Sequence, residues 1–409
     1  MSESAPSPFS PIAIGPITLK NRFIKSATNE GNAPGGVPSK ALVRFHESMA
    51  EGGIAMNTVA YCAVSPDGRT FVDQITLDRQ SAPHLRALTD AVHRHGAAAS
   101  AQITHGGCFT FLPSLQSGRP FSSSGGFNKV GVMSGLFFRR GMTEADMEQV
   151  AGEFVSGALL AKEAGFDAVE IHMGHGYLLS QFLSPLYNKR RDRFGGSVEN
   201  RARFPAMVLR RVLDAVGRDM AVICKFSVTD GARGGNTSDD GAAIARVLER
   251  EGAHLLVLSA GLNVEAITTM FGSSFPKENR VKPANPIIRL GMFIQQFTEP
   301  KNVKFRQLYS LDHARKVRAA VRTPLAYLGG VQSLANAEQM MAEGFETIAL
   351  GRALIFDPAF VNNLASGAVK TSGCTACNLC TAMMYTPGGT SCVLHAPNDP
   401  ALNRIPAAA

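Results

Sequence analysis

The sequence predicts one α/β domain folded as a parallel eight-stranded barrel, the (β/α)8 or TIM barrel. Strand-like apolar runs at 22–28, 54–60, 97–103, 167–172, 220–226, 253–259, 324–328 and 346–350 alternate with helical stretches near 39–51, 81–95, 143–164, 198–216, 238–251, 312–321, 334–343 and 358–365. That eightfold alternation is what a barrel requires. An open doubly wound sheet would show a glycine fingerprint after its first strand, and Asn29-Glu30-Gly31-Asn32 supplies none. Polar residues also collect just past strand ends, where a parallel barrel gathers its active site.

Composition narrows the class. A chain of 409 residues is long enough for two or three domains, yet barrels with insertions reach this size as one. Apolar residues make up 45% of it, ordinary for a globular protein with a large core. The net charge of +8 comes without a Lys/Arg block or an aromatic–basic stripe. That argues against nucleic acid and suits an anionic cofactor or substrate. No run of about 18 apolar residues is present, so no membrane span is expected. The start, MSESAPSPFSP, lacks the basic and apolar regions of a signal peptide. The expectation is a cytoplasmic protein with a flexible tail over 1–8, a barrel over 9–370 and a cysteine-rich segment over 371–409. Three scattered and four clustered cysteines argue against a disulfide framework.

Taken in order, the first strand exits through Ser26, Ala27, Thr28 and Asn29. The second carries Tyr61 near its end. The third ends at Gln102-Ile103-Thr104-His105, where a glutamine offers both donor and acceptor. A Gly/Ser/Phe-rich connection over 106–142 then leads to a helix capped by Thr143. A loop this long in a compact barrel is a lid or binding element. Its Phe109, Phe111, Phe137 and Phe138 either close over an apolar substrate or pack the lid onto the barrel.

The fourth strand, Ala168-Val169-Glu170-Ile171-His172, leaves through Met173, Gly174, His175, Gly176 and Tyr177. The next helix starts at Ser197 with Asn200 three residues on, a cap signal. Three imidazole or phenol groups within six residues can donate to one carbonyl oxygen, and the phenol can deliver a proton nearby. From spacing alone the histidines also read as satisfied turn residues, or as an H-x-x-H metal pair lacking a third ligand. The fifth strand sets Lys225 inside Val222-Ile223-Cys224-Lys225-Phe226. A buried lysine needs an anion; otherwise it must snorkel to the surface.

After the sixth strand, Ser259-Ala260-Gly261 opens an insertion to about 310 containing Met270, Phe271, Phe275, Met292, Phe293 and Phe297. Such a loop suits substrate sizing or a subunit contact in a homo-oligomer. The last two strands end in Leu328-Gly329-Gly330-Val331 and Leu350-Gly351-Arg352. Glycine backbone and a guanidinium suit a phosphate there.

The stretch EIHMGHGYLLSQFLSPLYNKRRDRFGGSVENRARF resembles the signature of the Old Yellow Enzyme family, the FMN-dependent ene-reductases, and the likeness runs over roughly 9–395. The resemblance implies that His172 and His175 hold the substrate's activating carbonyl above the flavin and that Tyr177 supplies the proton. It places Ser26, Ala27 and Thr28 against the flavin ring and ribityl chain, largely through backbone. Asn29 falls where relatives carry Thr or Cys, so it either donates to a flavin carbonyl or is a plain turn former. Tyr61 replaces a small residue; it either reshapes the pocket over the ring or fills the interior. Gln102 would bond the pyrimidine edge, and Lys225 stands where arginine is usual, beside the N1–C2 edge. Gly329, Gly330, Gly351 and Arg352 agree with the FMN phosphate site.

Cys374-Thr375-Ala376-Cys377-Asn378-Leu379-Cys380, followed by Cys392, is a C-x2-C-x2-C…C pattern. Thiolates so spaced converge on an iron–sulfur cluster corner or a zinc ion, or stay free. The segment resembles the [4Fe–4S] region of dienoyl-CoA reductase and trimethylamine dehydrogenase, which add further electron-feeding domains; with this chain read to Ala409, such a module is expected to be absent, and a separate electron-transfer partner is expected only for the iron–sulfur alternative. The function expected is reduction of the C=C bond of an α,β-unsaturated carbonyl, or similarly activated alkene, with NAD(P)H-derived hydride passed through FMN. The alternatives are a dienoyl-CoA-reductase-type iron–sulfur flavoprotein and a non-catalytic redox sensor.

Overall fold

The computed structural model describes residues 5–275, 300, 302–384 and 388–395. A short antiparallel hairpin of β1 (Ile12–Ile14) and β2 (Ile17–Leu19) comes first. The strands β3 (Phe23–Lys25), β4 (Met56–Ala63) and β5 (Ala98–Thr104) follow, with α1 (Lys40–Glu51) and α2 (Ala82–His93) between them. Three short strands, β6 (Phe121–Ser122), β7 (Gly126–Phe127) and β8 (Phe138–Gly141), form a small sheet within the long connection. Then come β9 (Ala168–Met173), β10 (Ala221–Ser227), β11 (Leu255–Ser259), β12 (Leu325–Tyr327) and β13 (Thr347–Leu350). The order β10-β11-β12-β13-β3-β4-β5-β9 closes on itself with every pairing parallel. The (β/α)8 barrel expected from the alternation is the fold.

Alternation along the strands explains the two cores. Inward residues such as Ile24, Met56, Ala168, Ile223 and Val257 fill the barrel, and Ile14 and Leu19 of the hairpin plug its N-terminal end. Outward residues such as Phe23, Val59, Val169 and Phe226 pack under the helices. The helices begin where the sequence signals them. Thr143 and Asp146 form a reciprocal capping box at α3 (Glu144–Glu163), and the Ser197 hydroxyl accepts from Asn200 N–H at the helix Val198–Val216. Among the described residues no helix is long and apolar enough to cross a membrane.

Register places the polar strand residues side by side. His172 lies opposite Lys225 in the β9–β10 pair, and Glu170 opposite Gln102 in the β9–β5 pair. All four stand at the C-terminal end of the barrel, on the face the exits reach. Of the insertion's apolar residues, Phe271 ends a short helix and meets Phe275 edge-on at 5.0 Å; Met292, Phe293 and Phe297 lie outside the described residues.

Candidate active site

His172 ends β9, and the chain turns back at once through His175, whose φ of 63° is left-handed. That turn is held by His175 N–H donating to Ser227 Oγ (3.1 Å) and by Asn263 N–H donating to His175 O (3.2 Å). His172 Nδ1 accepts from Gly174 N–H at 3.2 Å. An accepting Nδ1 carries no proton, so His172 is the Nε2–H tautomer. Its Nε2–H then donates to His175 Nδ1 at 3.3 Å, leaving His175 Nε2–H to donate to Ser259 Oγ at 2.7 Å. One polar chain thus runs from β9 to the end of β11. Both rings are buried. Burial, then His175 and Lys225, hold the His172 pKa well below the ordinary imidazole value. Burial and Lys225 push His175 down to about 3. The pair is neutral at physiological pH.

Tyr177 precedes a helical turn, Leu178–Leu183, that was not anticipated in the sequence. Its ring lies 4.6 Å from that of His172 and 5.3 Å from each of Tyr61 and Phe109. Tyr61 is turned by a bond between its hydroxyl and Thr70 Oγ1, 2.7 Å. Phe109 and Phe111 therefore belong to this aromatic wall, whereas Phe137 and Phe138 are exposed. His172 and His175 form no metal group: among the described residues no three His, Cys, Asp or Glu side chains stand close enough to hold an ion.

Two buried cations flank the first strand's exit. Lys225 Nζ donates to Ser26 Oγ (3.0 Å) and to Ala27 O (3.4 Å), neither of them a carboxylate. Burial lowers its pKa while the field of Glu170 opposes that shift. Glu170, raised by burial, accepts from Gln102 Nε2 at 2.7 Å. Lys25 is on the outer side of β3 and pairs with Glu30 at 2.6 Å, both essentially unexposed. It also donates to Ser26 O, Thr28 Oγ1 and Thr58 O, so the backbone of 26–30 is pinned from behind. Spacing gave no notice of Ser259. Glu170 and Lys25 did leave a signal: each is an ionisable residue inside an apolar run, as Lys225 is.

FMN can be tested against this face. Lys225 has a third N–H left over, and Gln102 Oε1 has no hydrogen-bond partner among the described residues. Both suit the polar, electron-accepting edge of a flavin. At Gly351 an added Cβ would meet nothing nearer than Thr28 Cγ2 at 4.0 Å, so a cradle is left between the first and last strand exits. Gly329 and Gly330, at φ of 152° and 82°, are required by the close approach of Ser310 and Tyr309. Lys225, Gln102 and Gly351 fit the group, whereas Gly329 and Gly330 are accounted for by the protein's own packing.

The polar side-chain atoms of Thr28 and Asn29 are taken up by neighbours in the chain's own fold. Thr28 Oγ1 donates to Glu30 at 2.7 Å. Asn29 Oδ1 accepts from Gly31 N–H, and its Nδ2 donates to Met384 Sδ at 3.3 Å. The C-terminal segment therefore lies on the first strand's exit, where Thr390 also bonds the carbonyls of Asn29 and Glu30. Its cysteines Cys374, Cys377, Cys380 and Cys392 line one small pocket together with Arg352 and Asn378. Burial raises Cys374 and pushes Cys380 up to about 12, with Arg352 opposing both. Among the described residues these thiols form no group of three ligands placed to hold an ion.

The family model described as NADH:flavin oxidoreductase / NADH oxidase matches residues 7–298. The chain is 40% identical over 403 residues to the 4,4'-dithiodibutanoate disulfide reductase of Rhodococcus erythropolis, covering 95% of each. It is 32% identical over 382 residues to an NADH oxidase of Thermoanaerobacter brockii, covering 91% of this chain and 53% of that protein. It thus spans about half of that relative. Among solved structures it resembles a 2-naphthoyl-CoA reductase at a TM-score of 0.78 and 23% identity, over 98% of this chain and 58% of the other. It resembles morphinone reductase at 0.68 and 21%, over 90% and 92%. Those two likenesses speak for the fold alone.

Proposed function

Because the chain belongs to the NADH:flavin oxidoreductase / NADH oxidase family, we propose that it reduces the C=C bond of an α,β-unsaturated carbonyl or similarly activated alkene. FMN, when bound, supplies the hydride chemistry, with NAD(P)H as the source of the hydride. The observation that carries the substrate class is the His172–His175–Tyr177 group, buried together at one strand exit.

Each residue's part follows from its bonds. His172 Nε2–H meets His175 over a long 3.3 Å, so a substrate carbonyl can take that donor at small cost. His172 serves as a hydrogen-bond donor to the oxygen where negative charge grows. It does not give up the proton, because with Nδ1 already accepting from Gly174 the product would be an imidazolate. His175, bonded to Ser259, holds His172 in place and can turn its own Nε2–H to the same oxygen only by leaving that serine. Tyr177, whose phenol can lose a proton to carbon, is the acid. The wall of Tyr61, Phe71 and Phe109 keeps water from the reacting carbon.

A second reading is favoured by one observation, the full-length likeness to the Rhodococcus disulfide reductase. There hydride would cleave an S–S bond, and the His172 and Tyr177 donors would receive the departing thiolate. Anaerobic stopped-flow of the NADPH-reduced enzyme with 2-cyclohexenone and with 4,4'-dithiodibutanoate separates the two. Rapid flavin reoxidation with saturated ketone as product supports the first reading; reoxidation by the disulfide alone, with two thiols formed, replaces it. Reoxidation by neither removes both and favours a redox sensor or an enzyme serving a separate electron partner.

The four cysteines are read as ligands of a [4Fe–4S] cluster, supported by their shared cavity. Iron and acid-labile sulfide in anaerobically purified protein test this; about four of each are expected, and zinc without sulfide would overturn it.

A further inference from the structure

The Arg352 guanidinium is not aimed by its own helix, which runs only from Arg352 to Phe356. Its Nη1 donates to Asn378 Oδ1 at 2.5 Å and, more weakly, to Ser273 Oγ at 3.5 Å; its Nη2 donates to Phe271 O at 2.7 Å. The rings of Phe271 and Phe305 lie 5.9 and 5.3 Å from its central carbon. Of its five N–H donors, Nε–H and one on Nη2 have no partner among the described residues. The cation is therefore held by the insertion and the cysteine segment, with two donors to spare.

Asn378 is the holder, and its residue type is the one the position demands. It lies between Cys377 and Cys380, fully buried, at a left-handed φ of 63° that asparagine tolerates better than most residues. Its Nδ2 donates to Ser273 Oγ (3.0 Å) and Ser273 O (3.3 Å), and to Ser274 O at 3.4 Å. Carbonyls at one end and a guanidinium at the other fix which end of the amide is oxygen. Alanine would remove the 2.5 Å acceptor and leave Arg352 on Phe271 O, the long Ser273 contact and the two rings. Aspartate would lose the donor to Ser273 and Ser274 and place a negative charge against the cation.

We propose that Asn378, from the cysteine segment, is a positioning residue for the FMN phosphate: it sets the Arg352 guanidinium so that its free donors meet that group. The proposal rests on the reading of Gly351 and Arg352 as the phosphate end of the flavin site. It makes a residue set between cysteines 377 and 380 a determinant of cofactor choice, quite apart from any electron transfer.

Riboflavin, which lacks the phosphate, is the discriminating probe. Full-length apoprotein is titrated with FMN and with riboflavin, following quenching of flavin fluorescence. Asn378→Ala is expected to weaken FMN about tenfold and leave riboflavin unchanged. Arg352→Ala is expected to weaken FMN more, again sparing riboflavin, and Arg352→Ala/Asn378→Ala to match Arg352→Ala alone. Asn378→Asp keeps the size and backbone preference of the residue and is expected to lose the FMN preference as well. Thermal melts establish that each variant is folded. Equal loss of both ligands in Asn378→Ala and Asn378→Asp, no loss of FMN, or a full additional loss in the double variant would overturn the proposal. An Arg352→Ala protein that still prefers FMN to riboflavin would instead remove the phosphate reading beneath it.

Discussion

The amide N–H of Gly174 fixes the protonation of a catalytic ring two residues away, and that has kinetic consequences. His172 and His175, held neutral by burial, do not titrate near 6.5. The pH profile of kcat/KM for enone reduction between pH 5 and 8 is therefore expected to lack an imidazole limb. A limb near 6.5 would place a solvated histidine in the reaction instead. Tyr177→Phe is expected to lower alkene reduction by about 10²–10⁴-fold while NADPH still reduces the flavin at the normal rate, since the two half-reactions are measured separately by stopped-flow. Much at this scale was legible beforehand. His172, His175 and Tyr177 are crowded into six positions, and Lys225 interrupts an apolar strand. Glu170 stood two residues before His172 and so on the same face of the strand, a signal that was available. Ser259 gave none: a serine at a strand end acquires its role only when the barrel brings β11 beside the β9 exit.

Strands and helices of the barrel fell within a few residues of their expected bounds, because each has a full period of apolar residues to announce it. The hairpin β1–β2 and the lid strands β6–β8 went unseen; they are two to four residues long and depend on partners rather than on pattern. The first barrel strand shows how an element can be held by charge. Lys25 points outward from β3 into the contact with α1, where Phe45 lies 5.6 Å below its ammonium and Glu30 pairs with it at 2.6 Å. Removing one member of such a buried pair leaves the other unpaired and costs about 3–5 kcal/mol. Lys25→Met is expected to lower the urea midpoint accordingly, and Lys25→Met/Glu30→Leu to recover much of the loss. If the double variant is as unstable as the single, the strand is held by the lysine's bonds to Ser26 O and Thr58 O rather than by the pair.

Over the whole molecule, the barrel, the described residues of the insertion after β11 and those of the cysteine segment meet. Barrel closure could be read from alternation, but the seating of the tail could not. It depends on Gly31, at φ of 67°, where a Cβ would stand 1.9 Å from Met384 O; a single glycine in a turn does not name its partner. What the molecule shares as a whole is a set of histidines folded away neutral: His46, His105, His172 and His175 are all buried. His105 is the cleanest to test, because burial holds it down to about 4 and it stacks on Phe121 of the lid. In the unfolded chain it takes a proton near 6.5. Its folded value is the lower one, so the unfolded state binds more protons below pH 6.5 and stability falls as the pH drops, by about 1.4 kcal/mol per pH unit until about pH 4. Buried Glu30 and Glu170, raised by burial, act in the opposite sense, so the wild-type curve alone mixes the two. His105→Gln leaves those carboxylates in place and removes one titration. The stability difference between wild type and variant, followed by circular dichroism in urea from pH 7 to pH 4.5, is expected to shift steadily in the variant's favour below pH 6.5. A difference that stays constant with pH would mean that this imidazole takes up its proton inside the folded barrel.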